Sequence, residues 1–195
     1  MPLPPRIPAT AQVAATPAGV SRAMSEDGDL AAIDDRFCRA LRDGLGTFAT
    51  GVTVVTTCAD DGRAVGITIN SFSSVSLDPP LILWSLSNRS PSLEAFCRAQ
   101  HYAVNVLAED QEWISSHFSV RGDDPFAPVE FIPGLAGVPL IAGCLAWFEC
   151  APEAHYPGGD HLVLVGRILR FAQGRKSSPL VFHGGRYRRL SGESQ

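Results

Sequence analysis

The sequence predicts a mainly β fold with appended helices, arranged as a barrel. Two observations point there. Runs of β-branched and aromatic residues recur at short spacing between turn signals, and only two or three segments carry a helical period. A third observation sets the scale: 195 residues with 45% hydrophobic and 18% charged side chains make one domain, or one domain plus a tail, with a real core. No internal repeat interrupts this pattern.

Residues 1–32 are rich in Ala, Pro, Ser and Thr and hold no sustained period, so they are expected to form a disordered arm. The folded domain is expected over residues 33–195. It opens with a helix capped by Asp34, with Phe37, Leu41 and Leu45 on one face and Gly44 and Gly46 ending it. Gly51 to Cys58 is β-branched almost throughout. Asp60-Asp61-Gly62 turns it into a second strand, Ala64 to Phe72. Asp78-Pro79-Pro80 breaks the chain before a third strand, Leu81 to Leu86. Ser90 as N-cap and Pro91 at the first helical position start a short helix. Tyr102 to Leu107 is a fourth strand. After Asp110 a helix pairs Trp113 with His117 and Ile114 with Phe118. Leu145 to Ala154 and Leu162 to Ala172 form two long strands joined by Pro157-Gly158-Gly159-Asp160, the second apolar on both faces and so expected to be buried on both. Leu180 to Phe182 and Tyr187 to Leu190 are expected to close the sheet around Gly184-Gly185.

Composition excludes several functions. Sixteen basic against twenty acidic residues give a net charge of −4, too little for an electrostatic grip on nucleic acid. From Arg167 onward only Glu193 is acidic, which reads as a solvated face or as attraction for an anionic small ligand. Five dispersed cysteines without a CxxC read as reduced thiols of a cytoplasmic protein. The uncharged stretch Phe131 to Phe148 is broken by Pro133, Gly134, Gly137, Pro139 and Gly143 and is not a membrane span. No GxSxG, HExxH or P-loop motif occurs, and no GxGxxG follows a strand. The histidines are scattered, so no metal is expected. Asp60-Asp61 and Asp123-Asp124 flank glycines as turn formers.

The distinctive segment is Gly66-Ile67-Thr68-Ile69-Asn70-Ser71-Phe72-Ser73-Ser74-Val75-Ser76. Its alternating hydroxyls and amide suit a ligand with a polar heterocycle edge, though composition alone favours a solvent-facing strand. Ser85-Leu86-Ser87-Asn88-Arg89-Ser90 lies at a predicted helix start, where backbone amides favour an anion, though Ser and Asn there are also ordinary caps.

These pieces, in this order, resemble the short-chain flavin reductases that supply two-component monooxygenases, built on the FMN-binding split barrel. The resemblance rests on Phe48-Ala49-Thr50-Gly51-Val52-Thr53-Val54-Val55-Thr56-Thr57 and on Gly66 through Leu81. It continues in Tyr102-Ala103-Val104-Asn105-Val106-Leu107, Gly158-Gly159-Asp160-His161 with Gly166, and Pro179-Leu180-Val181-Phe182. It spans roughly Asp34 to Leu190. It implies that Ala64, Val65, Gly66, Ile67, Thr68, Asn70 and Ser71 line the flavin ring and ribityl chain. Ser85, Leu86, Ser87, Ser90 and Ser92 would surround the ribityl and phosphate groups. His117 and Phe118 would contact the flavin, supported by Trp113. His161, Phe182, His183, Gly184 and Gly185 would lie near the nicotinamide. Some relatives carry Tyr and Arg at the positions of His183 and Gly184. His161 has a core histidine as its alternative reading, and Phe182 and Tyr187 read equally as packing.

The function implied is an NAD(P)H:flavin oxidoreductase. Hydride passes from NADH or NADPH to FAD or FMN in stacked rings, and reduced flavin goes to a partner monooxygenase or halogenase. No catalytic acid or nucleophile is needed, with His161 positioning the nicotinamide. A homodimer is implied, with neither nucleic-acid nor membrane partners. The alternatives are an electron carrier with tightly held FMN and no nicotinamide site, and a non-catalytic small-ligand barrel.

Overall fold

The computed structural model describes residues 35–120 and 125–190. The expected arm, the Asp34 cap and the Asp123-Asp124 pair lie outside the described residues. The chain divides into two compact units, residues 1–45 and 46–195. In the first, helix α1 (Asp35–Gly46) carries no buried residue.

The second unit holds β1 (Thr50–Gly51), β2 (Thr53–Cys58), β3 (Ala64–Ile69), β4 (Ser73–Leu77) and β5 (Pro80–Ser87). Next come α2 (Leu93–Arg98), β6 (Tyr102–Val106), α3 (Glu112–Ser119), β7 (Phe131–Pro133) and β8 (Pro139–Ile141). The unit ends with β9 (Ala146–Gly158), β10 (His161–Gln173), β11 (Val181–His183) and β12 (Arg186–Arg188). Seven strands form an antiparallel sheet in the order β3-β2-β6-β9-β10-β5-β4. The β2–β3 hairpin pairs Thr53 with Ile69 through Cys58 with Ala64. The β9–β10 hairpin pairs His161 with Gly158 through Gln173 with Ala146. Chain order alone explains both, because each pair is joined by a tight turn.

β2 is buried on both faces, and its alternation divides the core. Val55 packs with Val65, Ile69, Ile82, Trp84, Leu86, Phe96 and Tyr102. Val54 turns the other way, onto Val52, Leu107, Ile114, Phe118, Phe126 and Leu180. The first cluster is dense: the Trp84 ring meets Phe96 edge-on at 5.0 Å, and a β-carbon on Gly166 would fall 1.8 Å from the Tyr102 hydroxyl. The second cluster seats α3 on β3. Fully buried Asn105 ties β8 to this sheet, donating to the Val54 carbonyl (2.9 Å) and accepting from the Ile141 N–H (2.8 Å). A buried amide satisfied on both sides fixes its neighbours in one arrangement.

The sheet does not close into a barrel. Its ladder ends at β3 on one side and β4 on the other. The seam beside β3 is bridged instead by a side chain: the Ser85 N–H donates to Ser71 Oγ (2.9 Å), and that hydroxyl faces the Ser85 carbonyl at 3.2 Å.

Several expectations are corrected. The second strand ends at Ile69, and Ser73–Leu77 forms β4, a polar edge strand on β5. β11 and β12 do not close the main sheet; they pair with β1 in a separate three-stranded sheet. Helix α2 begins at Leu93 with Ser92 at its cap, so Ser90 lies in the preceding turn. Trp113 is 52% exposed and belongs to neither buried cluster, so it is not the support expected for His117 and Phe118. β10 is not buried on both faces in this chain: past Arg167 it runs beyond β5, and Leu169 and Phe171 stand exposed.

Candidate functional site

The seam beside β3 opens into three hollows that share Thr68. The largest, about 510 Å³, lies between β3, the 90–92 turn and the end of α3. A second, about 240 Å³, lies where Thr68, Ile69 and Asn70 face Ser115, Ser119, Phe182 and Tyr187. A third, about 310 Å³, lies where Ile67 to Ser71 face Ser85, Leu86, Ser87 and His161. Together they form a cleft along β3 of the size that takes a cofactor.

Local sequence explains why the cleft exists. Gly66 lets α3 approach: a β-carbon there would sit 2.5 Å from the Phe118 ring. Thr68 Oγ1 donates to the Ser115 carbonyl (2.7 Å), which pins the helix to the strand. The Ser115 hydroxyl lies 2.8 Å from the Tyr187 hydroxyl, joining α3 to β12. Asn70 is exposed and its amide makes no hydrogen bond with the described residues, so it is free to bind a ligand edge. His161 opens β10 opposite Ser87, and its Nδ1 lies 2.7 Å from Asp160 Oδ1. That contact holds the Asp160 carboxyl below its usual range.

The polar lining is almost wholly neutral. Among the described residues no carboxylate or cysteine faces the three hollows; the ionisable groups there are Arg63 near the start of β3, His161 near its far end, and the Tyr187 phenol. Hydroxyls and amides in the middle, with a cation and hydroxyls at one end, fit a flat neutral heterocycle carrying an anionic tail. A flavin has that polarity, and the residues present fit it.

Of the expected site residues, Val65, Gly66, Ile67, Thr68, Ser90, Ser92 and Phe118 line the largest hollow. Asn70, Ser71, Ser85, Leu86, Ser87 and His161 line the third, and Phe182 lines the second. Ala64 starts β3 but faces none of the three. His117 lies behind Phe118, its Nε2 2.9 Å from the Pro125 carbonyl oxygen. His183, Gly184 and Gly185 form the exposed β11–β12 turn, outside the hollows. Sequence reasoning did not find Arg63, Ser115 or Ser119. Ser115 and Ser119 lie one turn apart on the face of α3 that meets β3, a spacing that could have revealed them.

An antiparallel sheet with a polar cleft at its open seam has the shape and polarity of a cofactor-binding protein. Comparison with known proteins makes this specific. Residues 45–191 match the flavin reductase like domain. The NADH-dependent FMN reductase SmoA of Agrobacterium fabrum is 46% identical over 153 residues, covering 78% of this chain and 86% of that protein. The reductase component of the flavin-dependent trigonelline monooxygenase of Acinetobacter baylyi is 47% identical over 133 residues; these cover 68% of this chain and 43% of that longer protein. The solved structure of the Streptomyces globisporus NADH:FAD oxidoreductase SgcE6, in complex with NAD and FAD fragments, is similar with a TM-score of 0.78 at 36% identity. That match covers 85% of this chain and 99% of that one. The chain belongs to the flavin reductase family.

Proposed function

We propose that the cleft binds FAD or FMN beside NADH or NADPH, and that the protein is an NAD(P)H:flavin oxidoreductase handing reduced flavin to a separate monooxygenase or halogenase. The observation that carries this reading is the meeting of three hollows on Thr68–Asn70, lined by neutral hydrogen-bonding groups. Flavin and nicotinamide held there would supply the chemistry, one as hydride acceptor and the other as hydride donor. The chain supplies placement. Asn70 orients the polar ring edge, Phe118 walls the cleft, and His161, braced by Asp160, positions the nicotinamide. Neutral hydrogen bonds of about 0.5–1.5 kcal/mol each hold a ligand that must also leave.

The active form is a homodimer. Among the described residues the edge of β10 past Arg167 has no neighbour on its β5 side, and it carries exposed Leu169 and Phe171. Apolar side chains on an open strand edge suit a second copy. All five cysteines are free thiols, which suits the cytoplasm. Among the described residues no helix is long and apolar enough to cross a membrane.

The test is a steady-state matrix of NADH and NADPH against FAD, FMN and riboflavin. Nicotinamide oxidation that depends on added flavin is expected. A protein that retains FMN and oxidises neither nicotinamide refutes the reading. Sedimentation of a fully active monomer at micromolar concentration refutes the dimer.

A further inference from the structure

The largest hollow does not end at Arg63. Beyond it lies another of about 250 Å³, between the β2–β3 turn and the outer face of α2; Arg63, Pro91 and Ala95 wall both. We propose that this outer hollow holds the adenosine end of a flavin dinucleotide, so that the enzyme selects FAD over FMN. The inference rests on the flavin reading of the cleft.

Polarity along the two hollows carries the argument. On the cleft side of Arg63 the polar side chains are neutral hydroxyls, which can donate as well as accept. The Ser90 hydroxyl oxygen accepts from the Ser92 N–H (3.3 Å), which leaves its own O–H to donate. The Arg63 guanidinium pairs with Asp61 only at 3.8 Å, so most of its N–H groups are free to bind an anion. Past Arg63 the polarity reverses. Asp60, Asp61 and Glu94 outnumber Arg63 and Arg98. Arg98 meets Asp60 at 3.2 Å and Glu94 at 3.0 Å, through one oxygen of each carboxylate. The remaining oxygens are acceptors without a partner among these pairs, in a hollow of net negative charge.

Such a hollow rejects a terminal phosphate and accepts ribose hydroxyls and an adenine amino group. Arg98, held by two carboxylates, also presents a planar guanidinium on which a purine stacks. FAD is polarised in the same order: a neutral ring and ribityl chain, an anionic diphosphate, then a neutral adenosine rich in donors. FMN ends at the phosphate and leaves the outer hollow unfilled. The three carboxylates also exclude any ligand whose charge continues past Arg63.

The experiment is fluorescence titration of the full chain with FAD, FMN and riboflavin. Glu94→Trp and Asp60→Trp each place an indole in the outer hollow from opposite walls. Both side chains are mostly exposed, so thermal melting should show both variants folded. The wild type is expected to bind FAD about tenfold or more tighter than FMN. Each Trp variant is expected to lose that advantage while its FMN dissociation constant stays within about twofold. Equal affinities in the wild type, or an FAD preference that survives both variants, overturns the inference while FMN turnover leaves the flavin reading standing. If neither flavin binds or is reduced, the flavin reading falls and this inference with it.

Discussion

Gly66→Ala tests whether α3 and β3 meet as closely as the cleft requires. The added β-carbon would lie 2.5 and 2.7 Å from two carbons of the Phe118 ring and 3.2 Å from Phe126 Cζ. The Phe118 ring cannot retreat freely. It is 4% exposed, with Phe126 packed edge-on at 4.9 Å and His117 at 5.6 Å. Overpacking of this kind costs about 1–3 kcal/mol. In a domain of this size each kcal/mol lowers Tm by roughly 2–4 °C, so a fall of roughly 2–12 °C is expected. Flavin affinity should fall with it, because Gly66, Phe118 and Ser119 wall the same hollow. Gly51→Ala is the control, since nothing lies within 4 Å of its added carbon. Scanning fluorimetry and flavin quenching read both variants. A Gly66→Ala protein with wild-type Tm and flavin affinity would show that the helix does not rest on the strand as described.

Four further outcomes are expected. His161→Ala should raise the nicotinamide KM or lower kcat by about tenfold, with flavin affinity and Tm nearly unchanged because the side chain is 45% exposed; wild-type nicotinamide kinetics would remove it from the site. Asn70→Ala should weaken flavin binding several-fold, the loss of about one hydrogen bond, and an unchanged dissociation constant would return the residue to a solvent-facing role. Burial pushes the Cys144 and Cys150 thiols up to about 12, so a thiol reagent at pH 8 should label exposed Cys97 and spare these two; native-state labelling of Cys144 or Cys150 would contradict their burial. Removing residues 1–32 should leave flavin reduction intact, since the described residues facing the cleft all lie between Val52 and Tyr187, and lost activity would place the arm in the function.

The parts of the fold legible in the sequence were those set by local pattern. The β-branched run of β2, the glycine turn between β9 and β10, and the Ile114/Phe118 spacing of α3 each carry their own period. β4 escaped because Ser73-Ser74-Val75-Ser76-Leu77 has little to bury, and an edge strand needs little. β7 and β8 are three residues each, hidden among prolines and glycines. The partner of β11 could not be read at all. It pairs with Thr50–Gly51, about 130 positions away, and no local signal names a distant partner. Of the site, the hydroxyl-rich strand was visible as residues. Its division of labour was not: Thr68 and Ser71 spend hydrogen bonds on Ser115 and Ser85, while Asn70 stays free.

That division follows from where the sheet stops. A strand inside the ladder has its backbone groups paired on both sides, and its side chains alone can meet a ligand. β3 is an edge, with β2 on one side only. Its other side would invite a further strand, and the chain prevents that with single contacts: Ser71 to Ser85, and Thr68 to the backbone of α3. Contacts spaced three residues apart hold the seam without filling it, and Asn70 sits in the interval. An unpaired edge held open by side chains offers both backbone and side-chain groups to one ligand face. The proposed site lies at the break in the ladder, and replacing Ser71 should disturb the seam and the ligand together, whereas replacing Asn70 should disturb the ligand alone.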